Sequence, residues 1–77
     1  MSGFDPKRYD FQMFALFLEA RRVHRGVSVG ALARLAEVTP DAVSRATAGR
    51  NPGEDEFIAL AAWMGEPANR FLKAEAR

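Results

Sequence analysis

Residues 26–52, GVSVGALARLAEVTPDAVSRATAGRNP, are typical of two short helices joined by a tight corner. Ser28 is a good N-cap, and the apolar spacing after it predicts a helix over residues 29–36. Thr39 caps a further helix, predicted over residues 40–48, with proline in the first helical position where it is well tolerated. Helices this short need packing partners, so the flanking sequence must hold the pair in place.

A longer helix is predicted before this pair. It begins between Pro6 and Phe11, where Asp5 and Asp10 are alternative caps, and Gly26 ends it. Its core stripe recurs at helical spacing and consists of Phe11, Phe14, Ala15 and Leu18.

The same helix carries a second apolar set on roughly its opposite side. This set consists of Met13, Leu16, Phe17 and Ala20. Two interpretations are open. A terminal segment folds back over these side chains, or they form a dimer interface to which Phe71 also contributes. Both interpretations hold if the terminal segments build the dimer together.

The chain after the pair predicts two further helices. A polar loop over residues 50–53 leads into an acidic first turn, and Gly65 ends this fourth helix. Pro67 begins a fifth, so that residues 66–77 form a C-terminal helix suited to dimer formation, and residues 1–8 form a flexible arm. Five helices with no strand pattern predict one all-α domain over residues 1–77.

The composition excludes several classes of protein. The 77 residues are 48% hydrophobic and 27% charged, which is ordinary for one small folded domain. Cysteine is absent and histidine occurs once, which rules out disulfides, thiolate zinc sites and zinc fingers. No apolar run approaches ~18 residues, and no signal-peptide core is present. We expect a cytoplasmic protein without a membrane segment.

Signals of catalysis are also missing. No HExxH, Walker, GxSxG or GxGxxG pattern occurs, and no pair of carboxylates stands at an informative spacing outside the acidic first turn. The single His24 has arginine neighbours and no acid or nucleophile close in sequence. We expect no enzyme activity, no metal, no cofactor and no small-molecule ligand.

The charge is distributed unevenly along the chain. The net charge is only +1, but residues 1–50 carry eight basic and five acidic side chains. Residues 51–77 carry three basic and five acidic ones, so positive potential accompanies the helical pair. Arginine predominates over lysine, and the guanidinium group suits phosphates and guanine edges.

Two helices joined by a corner of three to four residues fit the helix-turn-helix unit, whose second helix lies in the major groove of DNA. From Phe14 to Gly65 the chain resembles the phage repressor and Cro-type (XRE) helix-turn-helix family. The matching residues are Arg22, Gly26, Ser28, Leu32–Ala33, Val38–Thr39, Val43–Ser44–Arg45, Gly49, Pro52 and Met64–Gly65. The resemblance implies a lambda-repressor-like fold of five helices, with helices two and three forming the unit.

The resemblance also implies roles for particular residues. Base edges would be read by Pro40, Asp41, Ala42, Ser44 and Arg45. Phosphates would be contacted by Ser28, Val29, Thr39, Arg50 and Asn51. Arg22 would bond inside the unit rather than to DNA.

The chain departs from the family pattern in three respects, at four positions. Val29 replaces a common glutamine, and Glu37 replaces the corner glycine, at a cost of about 1 kcal/mol if a left-handed backbone is kept there. Pro40 and Asp41 replace amides on the reading face. Asp41 either caps the helix or accepts a hydrogen bond from cytosine N4, which leaves Arg45 as the main reader, with guanine as its expected partner.

These observations predict a sequence-specific transcriptional regulator, in the form of a repressor, that binds double-stranded DNA as a homodimer. When bound it would be associated with the nucleoid. An alternative stays open: an interaction module on the same fold, such as an antitoxin or accessory protein, that binds a protein partner through its first helix.

Overall fold

The computed structural model describes residues 4–73. Within this range the chain is helical, and the only β pairing is one isolated bridge. The α-helices are α1 (Phe11–Arg25), α2 (Val29–Ala36), α3 (Pro40–Thr47) and α4 (Glu54–Met64), and two 3-10 helices span Pro6–Arg8 and Ala68–Phe71. The all-α prediction is therefore confirmed. The fifth helix is a single 3-10 turn.

Both candidate caps at the N-terminus are used. The carboxylate of Asp5 accepts a hydrogen bond from the Lys7 N–H at 3.1 Å and begins the first 3-10 helix. Asp10 Oδ1 accepts from the Met13 N–H at 2.9 Å and begins α1. The extended backbone of Tyr9 separates the two helices, which is why the sequence offered two starts for one element.

The two ends of the described chain pair with each other. Tyr9 and Leu72 form the antiparallel bridge, with the Asp10 N–H donating to Phe71 O at 2.7 Å and the Lys73 N–H to Arg8 O at 2.8 Å. This pairing requires extended backbone on both sides, so the helix predicted over residues 66–77 is limited, within its described part, to the 3-10 turn Ala68–Phe71. The described part of the expected flexible arm likewise has regular structure. Residues 1–3 and 74–77 lie outside the described residues.

Aromatic rings fill the centre of the core. The fully buried ring of Phe57 meets Phe14 edge-on at a centroid distance of 4.7 Å and Tyr9 at 4.9 Å. Phe4 packs on both Tyr9 and Phe57. The helices contribute Phe14, Leu18, Leu32, Val43, Ala46, Leu60 and Met64 to the same buried cluster. The predicted core stripe of α1 is thus confirmed at Phe14 and Leu18.

The C-terminal segment covers part of the second apolar set of α1. Phe71 is fully buried and meets Phe14 at 4.9 Å and Phe17 at 5.4 Å, so it belongs to the core and is not available as an interface residue. Phe17 and Met13 are half-buried against the core. Leu16, by contrast, is 73% exposed. The fold-back interpretation holds for one part of the set and leaves the other part uncovered.

All four α-helices end in the same way. Within two residues of the last turn one residue adopts a left-handed backbone, and the next N–H returns to a carbonyl five residues earlier. Glycine takes the left-handed position at Gly26, Gly49 and Gly65. At the corner between α2 and α3 the position is held by Glu37, with φ of 60°. The helix-turn-helix corner is therefore the one helix end among the four that carries side-chain strain.

We expect Glu37→Gly to raise the free energy of unfolding by about 1 kcal/mol, because glycine adopts the left-handed conformation without a Cβ clash. Urea denaturation of both proteins measures the change. Glu37→Ala is the matched control, since alanine removes the carboxylate but keeps the strained Cβ. An equal gain in both variants would show that the charge, and not the backbone, matters at this position.

Candidate nucleic-acid interface

The helix-turn-helix pair is held together by small apolar side chains. Leu32 and Ala33 of α2 are buried in the same cluster as Val43 and Ala46 of α3. Alanine at these contacts lets helices approach closely. Because α3 also packs on α1, its orientation is fixed by two neighbouring helices.

The opposite side of α3 is polar and open to solvent. Pro40, Asp41 and Ser44 are all exposed, and Arg45 is partly exposed. These are four of the five residues predicted to read bases. The structure keeps them on one accessible surface at the start and along the outer side of the helix.

Ala42 does not belong to this surface. Its exposed fraction is 0%, because it lies with Val43 and Ala46 on the side of α3 that faces α1 and α2. A side chain without exposed area has nothing to offer a base edge. Alanine fits either side of an amphipathic helix, so the sequence pattern left its side undecided.

Arg45 is held by two acceptors. One is the carboxylate of Asp41, one helical turn earlier, which forms an ion pair with the Arg45 Nη1. The other is the main-chain carbonyl of Pro52, which accepts from Nη2 at 3.1 Å. The Asp41 side chain is 74% exposed, whereas Pro52 is fully buried. The guanidinium therefore lies between the start of α3 and the loop that follows it.

The capping role considered for Asp41 is filled by Thr39. Thr39 Oγ1 accepts the hydrogen bond from the Ala42 N–H at 3.1 Å and is the N-cap of α3. The carboxylate of Asp41 pairs with Arg45 instead. In the free protein the Asp41 carboxylate therefore has a partner other than the two that the sequence suggested, the helix N-terminus and cytosine.

The residues expected to contact phosphate differ in what they can donate. Ser28 caps α2 by accepting from the Ala31 N–H at 3.1 Å, and Thr39 caps α3 in the same way, so each hydroxyl keeps its own proton for donation. Arg50 is exposed. Asn51 uses Oδ1 to accept from the Gly53 N–H at 2.9 Å, which leaves its side-chain NH₂ available. Val29 has only its main-chain N–H to offer.

Gln12 was not predicted and belongs next to this surface. It is exposed at the start of α1, and its Nε2 lies 3.6 Å from where a Cβ would stand on Gly49. Its amide thus sits beside the loop that carries Arg50. The available signal was weak: a polar side chain between two apolar ones in the first turn of a helix.

Three basic residues of α1 make contacts inside the domain. Arg22 bonds to Glu19 and donates to Val27 O at 2.8 Å, and the hydrogen bond with Glu19 raises the pKa of Arg22. Arg21 donates to a carbonyl at the end of α4. Arg25 donates to Trp63 O at 3.0 Å and lies 4.5 Å from the centroid of its ring. The internal role predicted for Arg22 is observed. Near the helical pair, Arg34 and Arg50 are exposed, whereas Arg45 is paired with Asp41.

Over residues 4–73, no group of three or more His, Cys, Asp or Glu side chains is placed to hold a metal ion. His24 lines an open groove on α1 together with Leu16, Phe17, Ala20 and Arg21. No helix in the described range is both long enough and apolar enough to cross a membrane.

Comparison with known proteins agrees with this geometry. A model of the helix-turn-helix domain matches residues 13–70, which include α2, the corner, α3 and α4. Neither a search of curated proteins nor a search of solved structures gives a match. Because the match spans most of the chain, the protein belongs to the helix-turn-helix domain family.

Proposed function

We propose that this protein is a sequence-specific transcriptional regulator that inserts α3 into the major groove of DNA. We assign it to the phage repressor and Cro-type (XRE) proteins, with a lambda-repressor-like domain. In this proposal, binding represses transcription. The observation that carries this proposal is the solvent-exposed polar side of α3 within a helix-turn-helix unit. An exposed polar helix held rigidly by two others is what major-groove readout requires.

The proposed contacts fall into two sets, one to base edges and one to phosphates. Arg45 and Ser44 read base edges, with guanine as the partner of Arg45, because a guanidinium can donate to both O6 and N7. Arg50, Asn51 and the capping hydroxyls of Ser28 and Thr39 contact phosphates and set the register of the protein on the duplex. Gln12 adds a further donor beside Arg50.

Selection of bound duplexes from random-sequence DNA tests the proposal directly. We expect an enriched motif, and we expect binding that weakens linearly in log–log form as salt rises. Two inverted half-sites about one helical turn apart would indicate a dimer. Absence of enrichment and of any retained duplex at low salt would contradict DNA binding.

We further propose that the active form is a homodimer joined through α1. Leu16, Ala20 and Val23 recur at helical spacing on the exposed side of this helix, with Leu16 73% and Val23 65% exposed. The half-buried Phe17 lies beside them, and Ala20 is small enough to allow close approach. Exposed apolar side chains that are contiguous mark interfaces more often than scattered ones do. A single domain of this size also gains useful specificity by binding two half-sites.

We expect Leu16→Glu to raise the dissociation constant of the dimer by about tenfold or more, because a carboxylate would have to be buried at the interface. Leu16 is largely exposed, so the fold should survive. Sedimentation equilibrium over a range of concentrations measures the change. Ile58→Glu, at a 49% exposed site on α4, is the matched control and should leave association unaltered. An unchanged oligomer in Leu16→Glu would remove α1 from the interface.

The same exposed stripe favours one alternative function. An interaction module, such as an antitoxin or accessory protein, could use Leu16 and Val23 to bind a different protein. In that case the wild type would be monomeric and would retain no DNA at low salt. The selection and sedimentation experiments together separate this alternative from a DNA-binding dimer.

A further inference from the structure

We propose that Asp41 determines specificity by controlling what Arg45 can bind. Its carboxylate cancels the attraction of Arg45 for phosphate, while the shared contact fixes the guanidinium for a guanine edge. This inference rests on the proposed DNA-binding function. It assigns a role to an acidic residue that stands on the surface expected to face a polyanion.

The geometry of the Arg45 guanidinium provides the first step. Asp41 accepts from Nη1 and Pro52 O accepts from Nη2 at 3.1 Å, so two directions of the planar group are anchored. Pro52 is fully buried, which makes its carbonyl a fixed point of the domain. A guanidinium held at both Nη atoms has fewer orientations open to it before DNA arrives. Less entropy is then lost when it binds a base.

The two contacts of Arg45 leave some of its N–H donors free for a base. An arginine has five N–H donors, and the two contacts engage one on each Nη. Three N–H groups are left, and the bidentate contact with guanine O6 and N7 needs two. The anchored arrangement is therefore compatible with reading guanine, and Arg45 does not have to leave Asp41 in order to do so.

The negative charge of Asp41 offsets the positive charge of Arg45. The Asp41 side chain is 74% exposed and lies in the first turn of α3, which is the end of the helix proposed to face the DNA. A carboxylate in this place repels phosphate and offsets the charge of Arg45. The pair then adds almost nothing to the sequence-independent part of binding, which depends on the phosphates that are neutralised. The Asp41–Arg45 pair therefore contributes to the binding free energy only where a base edge accepts hydrogen bonds from the remaining Arg45 donors.

The competing explanation is that Asp41 merely stabilises its helix. An acid in the first turn and an ion pair at i,i+4 each favour a helix by a few tenths of a kcal/mol at exposed positions. That role concerns folding alone. It predicts no change in the ratio of specific to non-specific DNA binding when the carboxylate is neutralised in a protein that stays folded.

The test uses five proteins: the wild type, Asp41→Asn, Arg45→Gln, the double variant of these two, and Asp41→Glu. Each is titrated with a duplex of scrambled sequence and with the duplex enriched by selection, at several salt concentrations. We expect Asp41→Asn to bind the scrambled duplex about fivefold more tightly, with a salt slope steeper by about 0.9, because the freed Arg45 takes one additional phosphate. The preference for the selected duplex over the scrambled one should fall.

Two comparisons show whether the effect passes through Arg45. In the Arg45→Gln background, Asp41→Asn should leave the scrambled-duplex affinity nearly unchanged. Asp41→Glu keeps the negative charge and should preserve the preference of the wild type. An equal gain from Asp41→Asn with and without Arg45 would show general charge repulsion and overturn the inference.

The outcome also separates this inference from the function on which it rests. A wild type that binds neither duplex contradicts the proposed function and, with it, the role of Asp41. A wild type that prefers the selected duplex, with an Asp41→Asn variant that keeps the same preference and salt slope, contradicts the role of Asp41 alone. Thermal unfolding of all five proteins checks that the comparison is made between folded chains.

Discussion

Phe71→Ala is expected to lower the free energy of unfolding by about 3–5 kcal/mol, the usual cost of removing a fully buried phenylalanine. The ring is 0% exposed and makes edge contacts with Phe14, Phe17 and Phe57. A domain of this size has little stability to spare, so a large fraction of the variant should be unfolded near physiological temperature. Urea denaturation followed by Trp63 fluorescence measures the loss.

The neighbouring Leu72 is the matched control. It is 39% exposed, so Leu72→Ala should cost far less than Phe71→Ala. The result also decides what the C-terminal segment does. If Phe71→Ala kept the free energy of unfolding of the wild type and only weakened self-association, Phe71 would be an interface residue. Its burial within one chain would then not contribute to stability.

Arg45→Ala is expected to cost about 1–3 kcal/mol of specific DNA binding and to relax the sequence preference at one base position. The loss combines the bidentate contact to guanine with the preorganisation that Asp41 and Pro52 provide. Competition titrations with the selected duplex and its single-base variants measure both quantities. An unaltered base preference would remove Arg45 from the reading role.

Arg50→Ala serves as the control for this measurement. Arg50 is exposed on the loop after α3 and is proposed to contact phosphate. Its removal should weaken binding to all sequences about equally and reduce the salt slope by about 0.9. A base-specific loss in Arg50→Ala would exchange the roles of the two arginines.

Much of the fold could be predicted from local chemistry. The caps Ser28 and Thr39 and the glycines at 26, 49 and 65 mark helix ends through contacts within a few residues of each other. Such contacts do not depend on the rest of the chain, so the bounds of α2 and the start of α3 could be predicted without knowledge of the tertiary structure. The left-handed backbone at Glu37 was expected from the resemblance to the repressor family, in which glycine holds this corner position.

The ends of the chain could not be predicted in the same way. Residues 66–77 have a helical composition, yet Leu72 pairs with Tyr9 and Phe71 fills the core. Burying a phenylalanine and completing a main-chain bridge outweigh the few tenths of a kcal/mol per residue that separate helix propensities. The choice depends on partners more than sixty residues away in sequence.

The candidate site also has features that the local sequence predicts and features that depend on tertiary packing. The sequence alone determined that a helix-turn-helix unit exists and that Ser44 and Arg45 lie on the outer side of α3, since capping and helical periodicity are local properties. Only the tertiary structure decided that Ala42 is buried, that Arg45 is held between Asp41 and the Pro52 carbonyl, and that Leu16 stays exposed while Phe17 is half covered. Each of these depends on how elements distant in sequence pack together, and packing is a property of the whole chain.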